Sequence, residues 1–282
     1  MKIMAGIVTF NPSLSRLIEN ISSIAQQVEI VILCDNGSVN IREIKCIVNE
    51  FSNVLLYSLS ENNGVAYALN AILQFASENG YIWFITLDQD SVVRSDLIAY
   101  YVKFIAHPDI ALMTCNITDR NFKAEATKEM NGAEYCFVSR CITSGNFVNT
   151  SILLSMGGYD SSMFIDYIDF DICTTALENG YRILKVNYDG LLHELGKTES
   201  RTILGNTVYI YNHEATRKYY MAKNGVYYIK KHMKYLGIKG IVKNAMEILW
   251  RIILVLLYED QKKVKLSNAL SGLFDGLRMK VK

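Results

Sequence analysis

Carboxylates and one imidazole, spread widely along the chain, mark the chemistry open to it. Asp88-Gln89-Asp90 closes the apolar run Tyr81–Leu87. Two carboxylates one residue apart point to opposite faces of an extended strand, but a turn beginning there brings both toward one ion. A hard cation such as Mg2+ or Mn2+ takes one or two protein carboxylates and completes its shell with water and phosphate oxygens, which this spacing can supply. Such a pair is in general more often a solvated strand-end turn; at the end of the fourth strand of a βα array it gains specificity.

A second acidic cluster, Asp166-Tyr167-Ile168-Asp169-Phe170-Asp171, stands at the predicted start of a helix. Asp166 as N-cap with Asp169 three residues on resembles a capping box, and acids suit a first turn through the helix dipole. That accounts for Asp166 but not for all three acids. At about 100° per residue Asp169 and Asp171 point to nearly opposite sides, so at most one faces a substrate. One aspartate beside a metal-bound diphosphate is what an inverting group transfer needs, as the general base that takes a proton from the attacking hydroxyl. His193 follows a predicted strand. A lone histidine is more often packed than functional, but beside a metal it becomes a third protein contact through a neutral ring nitrogen.

These residues need a scaffold, and the first half of the chain predicts one. Short β-rich runs at Ile3–Thr9, Glu29–Cys34, Val54–Ser58, Tyr81–Leu87 and Ala111–Asn116 are separated by apolar residues at helical spacing. Leu14, Leu17, Ile18, Ile21, Ile24 and Ala25 form one such stripe behind a Ser13 cap; Ile41, Ile44, Val48 and Phe51 form a second, and Val65, Leu69, Ile72, Leu73 and Ala76 a third. The alternation predicts a mostly parallel sheet flanked by helices. Ligands of such sheets sit outside the carboxyl ends of the strands. The residues there are Thr9-Phe10-Asn11, Asp35-Asn36-Gly37-Ser38, Asn62-Asn63-Gly64 and Asp88-Gln89-Asp90. Any one set reads as ordinary turn chemistry. Four on one edge read as a binding crevice.

After residue 116 the rhythm changes to a β-type run, Tyr135–Asn149, then a helix from about Tyr167 to Asn179 ending at Gly180, and a strand Tyr181–Tyr188. No Gly-x-Gly-x-x-Gly follows the first strand and no Gly-Lys-Ser/Thr loop occurs, which removes the main support for dinucleotide and P-loop chemistry. Without a glycine cradle, a bound diphosphate calls for a metal.

Composition sets the outer bounds. With 282 residues, 50% of them hydrophobic and 20% charged, the chain buries a full core. A formal charge of +1 gives no sign of a nucleic-acid partner. The total averages an acidic body, net −8 over residues 1–222, with a basic end, net +9 over residues 223–282. The six cysteines show no CxxC or metal-ligand spacing and read as reduced thiols. The first residues lack the apolar core and cleavage site of a signal peptide, from which a cytoplasmic location is expected.

Taken in order, these segments resemble the inverting family 2 glycosyltransferases of the GT-A fold, the rhamnosyltransferase branch in particular. The resemblance rests on Val8–Asn11, Cys34–Ser38, Asn62–Ala66 with Asn70, Leu87–Ser91, Ser144-Gly145-Asn146, Gly157–Asp160, Phe164–Asp171 and His193–Gly196. It implies a nucleotide-diphospho-sugar transferase whose Thr9, Phe10, Asn11, Asp35, Asn36, Asn63 and Gly64 line the nucleotide, with Asp35 meeting the pyrimidine ring. It places Asp88 near the ribose and metal water beside Gln89, makes Asp90 the direct ligand of Mg2+ or Mn2+, and has His193 complete the metal site. Asp169 matches the expected base, while Ile168 stands where the family usually has glutamate, which leaves open whether Asp166 or Asp171 assists. The implied activity is transfer of L-rhamnose from dTDP-rhamnose to a saccharide or lipid-linked saccharide in surface polysaccharide synthesis. A UDP-hexose donor is the alternative; a sugar-1-phosphate nucleotidylyltransferase or a non-catalytic nucleotide-sugar binding module fits less well.

The organisation that follows is a catalytic domain over 1–222, with a nucleotide-binding half (1–116) and an acceptor half (117–222), and a basic helical extension over 223–282. Within the extension, Ile248–Tyr258 is almost wholly apolar and flanked by Lys239, Lys243, Lys262, Lys263 and Lys265. It is shorter than the roughly 20 residues a bilayer span needs, and Arg251 interrupts it. A buried or homodimeric packing helix and an interfacial helix meeting the inner face of the cell membrane through residues 239–265 stand as equal readings.

Overall fold

The computed structural model describes residues 2–119, 132–193, 199–203, 206–210 and 212–281. They form two compact units, residues 1–162 with 168–194, and residues 163–167 with 195–282. Glu194, Leu195 and Gly196 of the His193 motif lie outside the described residues.

In the first unit the elements run β1 (Ile3–Thr9), α1 (Leu14–Ala25), β2 (Ile30–Asp35), α2 (Ile41–Val48), β3 (Val54–Ser58), α3 (Val65–Glu78), β4 (Trp83–Asp88), β5 (Val92–Val93), α4 (Leu97–Val102), β6 (Ile110–Asp119), β7 (Tyr135–Val138), β8 (Asn146–Asn149), α5 (Thr150–Ser155), α6 (Ile168–Glu178) and β9 (Arg182–His193). One sheet contains every strand of the unit in the order β3-β2-β1-β4-β8-β6-β9-β5, with β7 also pairing β9. The half that carries the predicted edge, β3-β2-β1-β4, is parallel. Beyond it the sheet is mixed: β8 runs antiparallel between β4 and β6, and β6 then pairs β9 in parallel.

Helices cover the parallel half because β1, β2 and β4 are apolar on both faces, as in Ile3-Met4-Ala5-Gly6-Ile7, where no residue is more than 8% exposed among the hydrophobics. Leu17, Ile21 and Ile24 of α1 and Ile44 of α2 are fully buried in this core. Gly6 lets α3 lie close: a Cβ there would stand 2.3 Å from the Ile72 side chain. Trp83, Phe147 and Tyr101 stack in series, with centroids 5.1 and 5.3 Å apart, and so join β4, β8 and α4. The Tyr101 hydroxyl donates to the Gly145 carbonyl at 2.7 Å, fixing the turn ahead of β8.

The second unit consists of the hairpin β10 (Glu199–Ile203) and β11 (Asn206–Ile210), then α7 (Ala215–Lys231), α8 (Met233–Tyr258) and α9 (Lys262–Arg278). Residue 222 lies within α7. Helix α8 breaks at Gly237, whose φ of +58° favours glycine. Helices α7 and α9 approach closely at two glycines: Cβ atoms at Gly272 and Gly276 would stand 2.2 Å from the Tyr219 carbonyl and 2.5 Å from the Lys223 carbonyl. Lys218 and Lys265, both buried, converge on the buried carboxylate of Glu259. Among the described residues no helix is long and apolar enough to cross a membrane.

Candidate active site

Parallel register aligns the strand ends. Thr9 stands opposite Asp35, and Val8 opposite both Cys34 and Asp88, so the residues that follow form one edge. The turn after β2 is built around Asp35, whose carboxylate accepts from the Thr9 hydroxyl (3.1 Å), the Ser38 hydroxyl (2.5 Å) and the Ser38 N–H (3.0 Å). Asp35 is 0% exposed. It anchors the loop from within. Asn11, with a φ of +48°, donates its N–H to Ser38 Oγ (2.7 Å) and accepts from Val39 N–H (2.9 Å), locking the first loop to the second. Asn36, also buried, accepts from the Asn63 N–H at 2.9 Å and so ties the third loop to the second. Gly37 permits this approach: its φ is +78°, and a Cβ would stand 2.7 Å from the Glu61 backbone. Gly64 precedes α3 with a φ of +88°. Phe10 remains exposed, and its N–H donates to Gln89 Oε1 at 2.8 Å, which joins the first loop to the acidic turn.

The acidic turn is held from three directions. Its Asp88 N–H donates to Ser144 Oγ (3.1 Å), while its carbonyl accepts from Asn20 Nδ2 (2.5 Å) on α1. Ser91 Oγ lies 2.7 Å from Ser144 Oγ and 2.8 Å from His193 Nδ1, so one serine bridges the turn, the loop before β8 and the end of β9. His193 is 9% exposed. Its Nε2 stands 4.0 Å from Asp88 Oδ2, and its Nδ1 3.9 Å from Asp90 Oδ1. Residues 105 positions apart in sequence are therefore brought around one imidazole. Ser91, Ser144 and Asn20, which hold this turn, carry no role in the reading of the sequence above; the signal for the two serines was that they fall inside the motifs quoted there.

Among the described residues no three His, Cys, Asp or Glu side chains form a cage for a metal ion. Mg2+ or Mn2+ does not need one, since one or two carboxylates suffice when diphosphate and water supply the rest. The partly exposed carboxylates of Asp88 and Asp90, flanking a buried imidazole, have the donor chemistry of such a partial shell.

Asp169 occupies the first turn of α6 and is half-buried, whereas Asp171 is 2% exposed. Helix α6 is tied to the strand beside β4: Cys173 Sγ lies 3.5 Å from Cys141 Sγ, which in turn donates to Asn146 Oδ1 at 3.1 Å. Asn146 pairs with Thr86, two residues before Asp88. Hydrogen bonding to Cys141 and burial hold the Cys173 thiol well above the usual range, with Asp169 adding to the effect, so it stays protonated and is no nucleophile. All six cysteines are free, and the Cys34 thiol is likewise pushed up to about 12, chiefly by burial.

The expected capping box at Asp166 does not form. Asp166 and Tyr167 take φ values of +64° and +66°, and in the second unit the Asp166 carboxylate receives the Arg217 guanidinium through Nε (3.2 Å) and Nη2 (3.0 Å). Asn224 fixes the same segment by donating to the Ile165 carbonyl at 2.7 Å. An ion pair between separate elements outcompetes a local cap here. Ser13 likewise makes no side-chain cap; its hydroxyl lies 3.2 Å from Ser15 Oγ.

A parallel β3-β2-β1-β4 edge with an acidic turn, extended by an antiparallel strand, is the architecture of GT-A glycosyltransferases. Solved structures share it: the chain superposes on Staphylococcus aureus TarS 1-349 in complex with UDP-GlcNAc with a TM-score of 0.64, at 14% identity, covering 98% of this chain and 81% of that one. It superposes on GalNAc-T7 with UDP, GalNAc and Mn2+ with a TM-score of 0.59, also at 14% identity, covering 82% and 48%. Residues 5–168 match the family model described as Glycosyl transferase family 2, and the chain belongs to that family. It is a glycosyltransferase. Across 98% of its length it is 25% identical to the dTDP-rhamnosyl transferase RfbF of Shigella flexneri, 95% of which is covered. Over 55% of its length it is 29% identical to the poly-beta-1,6-N-acetyl-D-glucosamine synthase of Staphylococcus aureus, of which it spans 40%.

Proposed function

We propose that this glycosyltransferase moves L-rhamnose from dTDP-rhamnose, with inversion, to a sugar hydroxyl of a saccharide or lipid-linked saccharide during surface polysaccharide synthesis. The observation that carries the donor assignment is similarity to a dTDP-rhamnosyl transferase along nearly the whole of both chains. In this reading Thr9, Phe10, Asn11, Asn36, Asn63 and Gly64 border the nucleotide, and Asp35 supports them by holding the loop closed from behind. Asp88, Asp90 and His193 would hold Mg2+ or Mn2+, with Gln89 fixing the turn to the first loop. Held there, the ion would supply positive charge to offset that of a leaving diphosphate. Asp169 takes the proton from the acceptor hydroxyl as that oxygen attacks the anomeric carbon in line. The reaction runs on the cytoplasmic side, with residues 239–265 approaching the inner face of the cell membrane, where a lipid-linked acceptor is found.

A UDP-hexose donor is the second reading, supported by the likeness in fold to TarS, which is solved in complex with UDP-GlcNAc. Thermal-shift titration of dTDP, UDP and GDP, each with and without Mn2+, separates the two, because a ligand of the folded state raises its apparent stability by mass action. Selective stabilisation by dTDP with Mn2+, and turnover of dTDP-rhamnose rather than UDP-hexoses, is the expected result. A preference for UDP would replace the donor, and indifference to all three would remove the nucleotide-sugar reading.

A further inference from the structure

The exposed side chains of α8 form a continuous apolar stripe rather than a scatter. Counted at 100° per residue from Ile238, the residues Ile238, Val242, Met246, Leu249, Trp250, Leu256 and Leu257 fall within an arc of about 120°. All are exposed, Ile238 by 82% and Met246 by 58%. The opposite face is the packed one, where Asn244, Ile248 and Val255 are buried. Lys239 and Lys243, both exposed, project at about 100° and 140° by the same count, Lys239 just inside the edge of the stripe marked by Trp250 and Lys243 just beyond it. The stripe runs about 29 Å at 1.5 Å per residue.

Contiguous exposed apolar surface of this kind marks a binding face, and its surroundings identify the partner. Residues 223–282 hold 13 basic and 4 acidic residues. Two copies meeting through this face would set like charge against like charge, whereas an anionic lipid surface complements it. One-sided apolarity with lysines and a tryptophan at the border is the pattern of a helix lying in the plane of the headgroups.

We infer that the Ile238–Leu257 face of α8 is a membrane-binding surface for anionic phospholipid, seated in the plane of one leaflet. The inference deepens the membrane part of the function proposed above and is independent of the donor sugar. Trp250 and the aliphatic side chains enter the acyl boundary, while Lys239 and Lys243 stay at headgroup level beside the lipid phosphates.

The test is sedimentation of the full chain with vesicles of phosphatidylcholine alone or mixed with phosphatidylglycerol, at low and high salt. The chain is expected to pellet with the mixed vesicles at low salt and to be released by high salt. Lys239→Gln combined with Lys243→Gln should weaken binding about 25-fold, since one basic residue near an anionic surface is worth about a factor of five. Val242→Glu with Met246→Glu should abolish pelleting, while Ile82→Glu, at a site 55% exposed in the first unit, should leave it unchanged. Thermal unfolding and dTDP binding of each variant serve as controls, so a failure here is distinct from a failure of the transferase reading. No pelleting with the mixed vesicles, or full pelleting by the Val242/Met246 variant, overturns the inference. So does a dimer of the unaltered chain that this variant turns into a monomer, because the face would then belong to a second copy.

Discussion

Asp169 and Asp171 stand two residues apart on one helix, yet packing gives them different fates. Asp171 is turned into the fold while Asp169 stays half-buried, so only one of the pair can meet an incoming hydroxyl. Replacing Asp169 by Asn keeps the shape and removes the basicity. Transfer should fall by about 10²–10⁴-fold, the usual worth of a positioned general base, while dTDP still raises the unfolding midpoint. Near-normal turnover of Asp169→Asn would strip Asp169 of this role. In the proposed metal site Ser91 would act at one remove, as a positioning residue. Its hydroxyl joins Ser144 to the Nδ1 of His193, and through Ser144 it supports the Asp88 backbone. Loss of such outer partners typically weakens metal affinity 10- to 100-fold. Equilibrium Mn2+ binding to Ser91→Ala should show a loss of that size, with Ser91→Thr recovering most of it; unchanged Mn2+ affinity in Ser91→Ala would show that the bridge is idle.

At the scale of elements, what sequence reveals depends on how local the cause is. Strands β1, β2 and β4 and helices α1 to α3 were legible because two-faced burial writes a continuous apolar run and one-faced burial writes a helical stripe; β3, buried mainly at Val54, showed through its short β-rich run. The strand-end residues Thr9, Asp35 and Asp88 followed from that, since parallel register aligns them. The expected run Tyr135–Asn149 instead splits into β7 and β8 around a turn in which Gly145 takes a φ of +77°. Nor does any local pattern say that β8 inserts antiparallel between β4 and β6, which mixes a sheet expected to be mostly parallel. The bridge from Asp88 to Ser144 to Ser91 to His193 was hidden for the same reason: its hydrogen bonds span 53 to 102 residues of sequence. The glycines of α9 show another non-local cause. On propensity alone Gly272→Ala should favour a helix. A Cβ there meets the Tyr219 carbonyl at 2.2 Å, backbone that cannot rotate away. Overpacking of this kind costs about 1–3 kcal/mol, so Gly272→Ala should lower the thermal midpoint, and a gain in stability would contradict the α7–α9 contact.

The whole molecule joins an acidic nucleotide-sugar unit to a basic helical one, and the second carries its charge inward as well as outward. Lys218 and Lys265 share Glu259, and Arg217 meets Asp166, all within that unit. His213 sits among them. Burial first, and then the charges of Arg217, Lys218, Arg251 and Lys265, lower its pKa to about 3 from a usual value of 6.5. In the folded unit the ring therefore stays neutral, while the unfolded chain takes up a proton near pH 6.5. Because the unfolded state binds more protons across this window, stability rises with pH. This contribution is fully present above pH 6.5, is lost progressively as the pH falls, and changes no further below about pH 3. The chain's two tryptophans make the effect observable, since Trp83 lies in the first unit and Trp250 in the second. In a Trp83→Phe background, urea unfolding followed by Trp250 fluorescence should shift to lower midpoints between pH 7 and pH 4. His213→Asn cannot titrate, and should remove a measurable part of that slope while leaving the midpoint at pH 7 closer to the parent than the midpoint at pH 4. Identical slopes in the two proteins would mean that the proton is not excluded from His213, and the cationic cluster around it would lose its role in acid sensitivity.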